Sequence, residues 1–497
     1  MQLGKLLVRT QRSFILGATC ATLLGGAAWA PSAHAVETGE APAVTSVAAD
    51  SALTLQQCID LALRQSHLRS ASRYSVEIAE AQHRQALSAY WPQIGARANY
   101  TVMDQDPTFV FPSSSVQLPA STVVATTPLG AIPISTPALS YQTPAMKVKL
   151  MDRHNLVASL QATLPLYTGG QISAIVRQSE QGIKAAKEEV RRTDLQIVYD
   201  TTRYYYGTVL SRELVQISRE ALTRMEVTLE LTENLYTKGS GKVRKTDYLR
   251  NKTVVEWLRS AVAALAGNEE LARAALLNSL GEGAESPLAP ASQELPFTAD
   301  NADFGQLVSG AYASNPEWAQ LEAGLQAAQA KIDEAKSGHY PKIGLFGNLT
   351  RLENPYDQGI VNSDNRTSWT VGIGMELPLF NGLRTTNEVR EARARLEKLK
   401  QQQSLLKDGI AIQVQHFFIQ LRTAQKQKTA TEAASVSSEE NRALNELAYR
   451  EELVETKDVI EAQLMESLMK AQYRKALYDC LEARASLDFV VGSQFGR

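Results

Sequence analysis

The chain has 497 residues and a formal net charge of −2, so it lacks the bulk basic field that attracts nucleic acid. Aromatic residues make up only 7% of it, which is low for a large globular core. Wide stretches are rich in Ala, Gln, Glu, Leu, Lys and Arg, a composition typical of long helices and coiled coils.

The N-terminus has the three parts of a secretory signal peptide. A basic start is followed by an apolar run over 14–30 and by an A-x-A cleavage motif, Ala33-His34-Ala35. This pattern predicts a signal peptide over 1–35 that is cleaved near Ala35, followed by a flexible segment over 36–52. The alternative is an uncleaved anchor helix.

Two cysteines, Cys58 and Cys480, lie near the two ends of the exported chain. An oxidising compartment permits a disulfide between them if those ends pack together. Two buried free thiols are the alternative, and the sequence does not choose between them.

The rest of the chain is an internal repeat. Each half contains one copy of two short motifs, YWPQIG or HYPKIG where a strand starts, and LPLYTGG or LPLFNGL where a strand gives way to a helix. We therefore expect a first repeat over 53–281, a second repeat over 303–490, a connector over 282–302 and a C-terminal tail over 491–497. Each repeat should contain a helix, two strands, a long helix and a second helix.

The helices are bounded by proline and glycine. The first is predicted from Thr54 to Tyr90, because proline follows two residues later. Two much longer ones are predicted over 171–236 and 383–449, each about 100 Å at 1.5 Å per residue. Each long helix should turn back at a short tip into a helix of about 38 residues, and two short helices end to end would match one long one. Their apolar spacing is that of coiled coils, and their scattered Asp and Glu are interpreted as solvated faces.

Four segments alternate apolar and polar residues with the period of a strand; they cover 94–102, 155–164, 343–349 and 369–377. About ten residues is the length that a tilted strand needs to cross a bilayer. The polar positions are candidates for a watery lumen: Arg97, Asn99, Gln161, Asn348, Thr370 and Glu376. A sheet with one wet face in a soluble protein is the alternative.

The sequence motif of the strand-to-helix junction occurs once in each repeat. Pro165 and Pro378 are predicted to end the last strand of each repeat, and Gly169 and Gly382 to allow the sharp turn into the long helix. Because four strands cannot close a barrel and open edges are not tolerated in lipid, several chains must share one sheet. Two, three or four copies would give 8, 12 or 16 strands.

With this duplicated plan and these motifs, the sequence resembles the TolC family of outer-membrane efflux proteins. The segment YREELVETKDVIEAQ also resembles the family's tip motif, with Glu452 at the position where Gly is usual. The resemblance implies a mainly α protein with a transmembrane β-barrel, in which a homotrimer forms a 12-stranded barrel continued by a 12-helix tunnel. It also implies a periplasmic adaptor and an inner-membrane pump or ABC exporter as partners. By resemblance, the adaptor contacts are Gly239, Asp247, Leu453, Val454, Asp458 and Val459, although the apolar ones could instead be packing residues.

The two tips carry opposite charges. We hypothesise that, alternating around the tunnel mouth, these charges hold a resting gate closed; the positive set is Lys242, Arg244 and Lys245, and the negative set is Glu451, Glu452 and Glu455. Merely solvated tips are the alternative. The insert over 104–152, between two strands, should be an external loop that either caps the outer mouth or is disordered.

No HExxH, GxSxG or GxxxxGK[ST] motif occurs, and the histidines lack metal-ligand spacing, so we expect no catalysis, cofactor or metal site. The predicted function is an outer-membrane channel of a Gram-negative bacterium, with a periplasmic extension, in a tripartite efflux or type I secretion system. A soluble periplasmic coiled-coil scaffold or adaptor is the alternative. The sequence names no cargo.

Overall fold

The computed structural model describes residues 52–239, 241, 243–283, 285–297 and 303–492. The predicted signal peptide, nearly all of the segment after it and Lys242 lie outside these residues. None of the described helices is both long enough and apolar enough to span a membrane.

The two halves have the same order of elements, apart from the insert in the first. The first half consists of α1 (Leu55–Gln65), α2 (His67–Ser88), β1 (Gln93–Val102), β2 (Thr108–Phe111), β3 (Ser114–Leu118), β4 (Ser121–Thr127), β5 (Gly130–Thr136), β6 (Leu139–Thr143), β7 (Met146–Lys149), β8 (His154–Tyr167), α3 (Gln171–Thr237) and α4 (Lys245–Leu280). The second half consists of α5 (Phe304–Ser314), α6 (Pro316–Ser337), β9 (Lys342–Glu353), β10 (Thr367–Glu376), α7 (Arg384–Arg450) and α8 (Thr456–Val491). The predicted bounds of the two long helices are confirmed to within one residue.

The prediction of one unbroken first helix is wrong, because the chain becomes extended at Ser66. There the Ser66 hydroxyl accepts a hydrogen bond from the Arg69 N–H, which caps α2. The second half has the same break at Asn315, whose side chain accepts from the N–H groups of Glu317 and Trp318 at 2.8 and 3.2 Å. Short polar side chains satisfy the free N–H groups of a new helix, and so they favour a break at these positions.

The short helices pack along successive lengths of the long helix of their own half, and α6 and α8 also pack against α3 of the first half. Along α3, α2 is joined to the first part by the ion pair between Arg69 and Asp194 at 2.7 Å. Further along, the hydroxyl of Thr208 donates to Ala272 O of α4 at 3.2 Å. One apolar core surrounds the middle of α3, where fully buried Tyr205 and Val209 pack with residues of α1, α4 and α8. A second core surrounds the middle of α7.

Cys58 and Cys480 are both buried free thiols. The disulfide that the sequence permitted is therefore not formed, and the alternative of two free thiols is what the structure has. Cys58 belongs to the apolar core around α3. Burial raises the pKa of each thiol to about 11, which makes both thiols unreactive near neutral pH.

β1, β8, β9 and β10 form one antiparallel sheet in that order. The strands of the insert form a separate two-stranded ribbon in three antiparallel segments, which pair β2 with β7, β3 with β6 and β4 with β5. Prolines stand between the segments on both strands, at 112, 119, 137 and 144. The insert is therefore ordered, and the alternative of a disordered insert is wrong.

Candidate channel lining and periplasmic tips

The sheet has one mainly polar face and one mainly apolar face. On one face, Gln161, Asn348 and Thr370 stand side by side across β8, β9 and β10. The next row on this face is Arg97, Ser159, Thr350 and Ser368. Asn99 lies further along β1 on the same face, and Glu376 pairs with Lys342 at the end of the sheet near the helices. All six candidates for the lumen thus share one face.

The opposite face is apolar and exposed in the single chain. One of its rows runs from Ala96 through Leu160 and Leu349 to Trp369. The largest exposed fractions belong to Ile94 70%, Tyr100 66%, Trp369 75%, Ile373 67% and Met375 68%. An apolar surface of this extent marks contact with a membrane or another protein.

Both edges of the sheet are open. Within the part of the chain that the structure describes, β1 pairs only with β8 and β10 pairs only with β9. Each edge therefore presents unpaired backbone N–H and C=O groups, which are a template for another strand.

Of the two junctions between a strand and a long helix, the first differs from the prediction and the second agrees with it. Pro165 does not end its strand, because β8 continues to Tyr167 after a register shift between these two residues. A proline has no N–H to donate to the ladder, and a bulge accommodates it. Pro378 lies two residues beyond the end of β10 and fits the prediction.

The two junction glycines both have left-handed backbone, with φ of 62° at Gly169 and 65° at Gly382. Their surroundings differ. A Cβ on Gly169 would lie 2.6 Å from Tyr340 Cβ and 3.0 Å from Ser337 O, whereas a Cβ on Gly382 would meet nothing within 4 Å. The first junction therefore needs glycine for space as well as for backbone conformation.

The two tips begin and end alike, although seven residues separate α3 from α4 and five separate α7 from α8. Gly239 and Glu452 each follow the last turn of a long helix in the left-handed region, with φ of 74° and 54°. The next helices begin alike: the N–H of Arg244 donates to Asp247 Oδ2 at 3.0 Å, and that of Glu455 donates to Asp458 Oδ2 at 3.2 Å. Asp247 and Asp458 thus cap α4 and α8, where a carboxylate also complements the helix dipole.

The other tip candidates differ in exposure. Leu453 is 76% exposed and Val454 is half-buried. Val459 is only 1% exposed, so in the single chain it packs in the interior, which is the alternative that the sequence left open for the apolar candidates.

Sequence reasoning missed a buried polar cluster just above the tips. The hydroxyl of Tyr449 lies 2.9 Å from Thr232 Oγ1 and 2.9 Å from Thr456 Oγ1, and Asn251 Nδ2 donates to Thr232 Oγ1 at 3.3 Å. All four side chains are at most 4% exposed. They come from α3, α4, α7 and α8, so hydrogen bonding joins all four helices that meet at the tips. The only sequence signal was polar residues at apolar positions of the helical pattern.

A second missed feature is a buried carboxylate. Glu466 on α8 is fully buried, with Arg224 of α3 at 3.2 Å, Arg442 of α7 at 3.0 Å and Lys470 at 2.8 Å. Nearby, Gln463 Nε2 donates to Thr228 Oγ1 at 2.9 Å and to Glu446 Oε1 at 2.8 Å. These contacts tie α8 to both long helices.

The described residues hold no group of His, Cys, Asp and Glu that could bind a metal ion.

Among characterised relatives, the chain is similar to nodulation protein T of Rhizobium leguminosarum bv. trifolii, at 23% identity over 64% of this chain and 67% of that protein. It is 26% identical to the alkaline protease secretion protein AprF of Pseudomonas aeruginosa, over 50% of this chain and 51% of AprF. It is 24% identical to the cation efflux system protein CusC of Escherichia coli, over 50% of this chain and 52% of CusC. The match thus spans about half the length of the last two.

Solved structures share the fold over most of the chain. A membrane protein from Pseudomonas aeruginosa superposes with a TM-score of 0.70 at 18% identity, covering 89% of this chain and 91% of that one. CusC superposes with a TM-score of 0.69 at 17% identity, covering 90% and 96%. Sequence identity this low establishes the fold alone.

The model of the outer membrane efflux protein family matches residues 138–282 and 307–493. These two ranges make up more than half of the chain and fall one in each half. The chain therefore belongs to the outer membrane efflux protein family.

Proposed function

We propose that the chain is the outer-membrane channel of a tripartite efflux or type I secretion system, through which cargo passes passively from a periplasmic adaptor and an inner-membrane pump or ABC exporter to the exterior. One observation carries the proposal. A sheet with a polar face, an apolar face and two open edges continues directly into two helices of 67 residues each. The family is one of channels rather than enzymes.

Closure of the sheet requires sister chains. Open strand edges are not viable in the hydrocarbon core, because each unpaired backbone group costs several kcal/mol there. Three copies of this four-stranded sheet give a 12-stranded barrel, with the polar face toward a lumen and the apolar face toward outer-membrane lipid. The long helices, together with the short helices that pack along them, would then form a 12-helix tunnel in the periplasm.

Two classes of cargo, secreted proteins and small ions, are compatible with the proposed channel. AprF is named for protease secretion and CusC for cation efflux, and this chain resembles both to a similar degree. The proposed lining supports no strong charge preference, since its polar rows are mainly Gln, Asn, Ser and Thr, with Arg97 and the pair of Glu376 and Lys342 as the charged members.

The rival function, a soluble periplasmic scaffold or adaptor, leaves the apolar face of the sheet without a partner. Trp369, Ile373 and Met375 would each be at least two-thirds exposed to water. A soluble protein rarely carries such a face uncovered. A signal peptide over 1–35 would fit export to the outer membrane, and it remains a prediction. The repeat boundaries, 53–281 and 303–490, also remain predictions.

The tips are the proposed gate and adaptor site. In a ring of three copies, the basic tip with Lys242, Arg244 and Lys245 would stand beside the acidic tip of a neighbour with Glu451, Glu452 and Glu455. Exposed ion pairs contribute only up to about 1 kcal/mol each, but several can bias a two-state opening. Of the proposed adaptor contacts, Leu453 and Val454 have accessible side chains, while Gly239, Asp247 and Asp458 shape the turns.

Planar-bilayer recording of the purified protein tests both proposals. The native protein should form a narrow, mostly closed channel. The double variant Arg244→Glu with Lys245→Glu should conduct more, because like charges then face each other at the mouth. Lys252→Glu, an exposed position two turns along α4, reverses one charge away from the mouth as the control and should conduct like the native protein. Absence of any channel in all three contradicts the function, whereas equal currents in all three contradict only the gate.

A further inference from the structure

The ribbon formed by the insert is unusual in having no charge along most of its length. From Pro107 to Met146 the sequence contains no Asp, Glu, Lys, Arg or His. An exposed two-stranded ribbon is marginally stable alone, and unprotected edges invite pairing with another chain. Proteins usually blunt such edges with charges, which this ribbon lacks.

Each of its three segments has one apolar face. In β2–β7 it holds Phe109, Phe111, Met146 and Val148, and in β3–β6 it holds Val116, Leu118, Leu139 and Tyr141. In the outermost segment, β4–β5, Val123 pairs with Ile134 and Ala125 with Ile132, while Thr122 pairs with Ser135 on the other face, which also carries Val124 and Pro133. Val123, Ile132 and Ile134 are 64%, 56% and 55% exposed, and Leu129 at the turn is fully exposed.

The root of the ribbon is fixed to the sheet. Lys149 Nζ lies 2.8 Å from Asp106 Oδ2 and 2.9 Å from Asp152 Oδ2, across the two strands. Asn354, from the loop between β9 and β10, accepts from the Asp152 N–H at 2.9 Å and donates to Asn155 Oδ1 at 2.6 Å. Asn354 is 4% exposed. The ribbon therefore leaves the sheet from an anchored base.

The ribbon is long enough for the ribbons of three copies to contact one another. Some twenty residues per strand at about 3.3 Å each give a reach of roughly 65 Å. In a 12-stranded barrel with strands about 4.8 Å apart and tilted by about 40°, equivalent roots of three copies would lie roughly 20 Å apart. Three ribbons that are each longer than the distance between their roots can pack on one another.

We propose that the outermost hairpins, residues 121–136, of three copies pack together through the face that carries Val123, Ala125, Ile132 and Ile134. This inference rests on the proposed function, which supplies three copies around one axis. The lack of charge favours a sister copy as the occupant. Identical charged residues would meet near a symmetry axis and repel each other, whereas uncharged apolar ones gain by burial. An anionic lipid surface or a charged partner protein finds no complementary charge here.

The test uses two neighbouring cysteine variants of the full-length protein in outer membranes. Ile134→Cys is on the apolar face and Ser135→Cys is its control on the other face. Native Cys58 and Cys480 are buried and give little background.

Each variant is treated with a short bismaleimide, and separately with a monofunctional maleimide whose rate of labelling is followed. Ile134→Cys should give a cross-linked dimer and label slowly, and Ser135→Cys should label fast without cross-linking. In a ring of three, one cross-link uses two chains, so the dimer should reach at most about two thirds of the protein.

The native mass of the extracted variants distinguishes a failure of the ribbon contact from a failure of the proposed function. Trimers whose two cysteines label at equal rates without cross-links would overturn the ribbon contact and leave the channel proposal intact. Trimers in which Ile134→Cys labels slowly but does not cross-link would show a different occupant, such as lipid, and would also overturn the contact. Monomers would overturn the proposed function itself, and the contact with it.

Discussion

The buried carboxylate above the tips gives a prediction whose size follows from the structure. Glu466→Gln keeps the shape of the side chain but removes its charge, which leaves Arg224, Arg442 and Lys470 facing one another within the helix bundle. Breaking a buried ion pair from one side costs about 3–5 kcal/mol. The cations keep other partners, such as Glu446 at 2.7 Å from Arg442, and all three are between 18% and 26% exposed. We therefore take the lower figure, about 3 kcal/mol.

Hydrogen–deuterium exchange of the purified protein measures this loss where it occurs. At about 1.4 kcal/mol per factor of ten, local opening of α7 and α8 should increase roughly 100-fold. Peptides that cover 436–470 should show it. Glu461→Gln is the matched control, since it lies on the same helix and pairs with Lys457 at 3.6 Å while both are more than half exposed. A surface pair contributes under about 1 kcal/mol, so exchange there should change only a few-fold. Equal exchange in the two variants would refute the assigned role of Glu466.

Two further pairs of variants test the junction and the tip, each by circular-dichroism melting. Gly169→Ala should lower the melting temperature more than Gly382→Ala, because both incur about 1–2 kcal/mol for left-handed backbone but only the first adds overpacking of about 1–3 kcal/mol against Tyr340; equal melting would contradict the junction geometry. Val459→Asp should destabilise strongly by burying an unpaired charge, whereas Leu453→Asp, the same change at an exposed tip position, should melt like the native protein; the reverse order would show that the burial of the second tip has been assigned wrongly.

The sequence predicts the elements better than it predicts their contacts. The long helices and the four strands of the sheet follow from strong local signals, namely long periodic segments interrupted by proline and glycine. The breaks at Ser66 and Asn315 were missed because a polar residue that caps a new helix looks like an ordinary surface position within a longer one. The sequence does not distinguish an ordered ribbon from a disordered loop here, because the short strand-like segments are separated by prolines.

The functional contacts are harder to predict from the sequence than the elements, because they depend on residues that are far apart in the chain. Glu466 was interpreted as part of a solvated face, yet its three cations come from α3, α7 and α8. Val459 was assigned to an exposed tip because the tip motif includes it, and only the packing of the four helices shows that it is buried. The shared face of the candidate lumen residues, in contrast, follows from strand alternation once the register is known.

The central claim is that this chain closes its sheet only with sister copies in a membrane. The most direct measurement is the native mass of the protein extracted from washed outer membranes in mild detergent. We predict a complex of three copies in the membrane fraction. A monomer, or a protein recovered only in the soluble periplasmic fraction, would contradict the account.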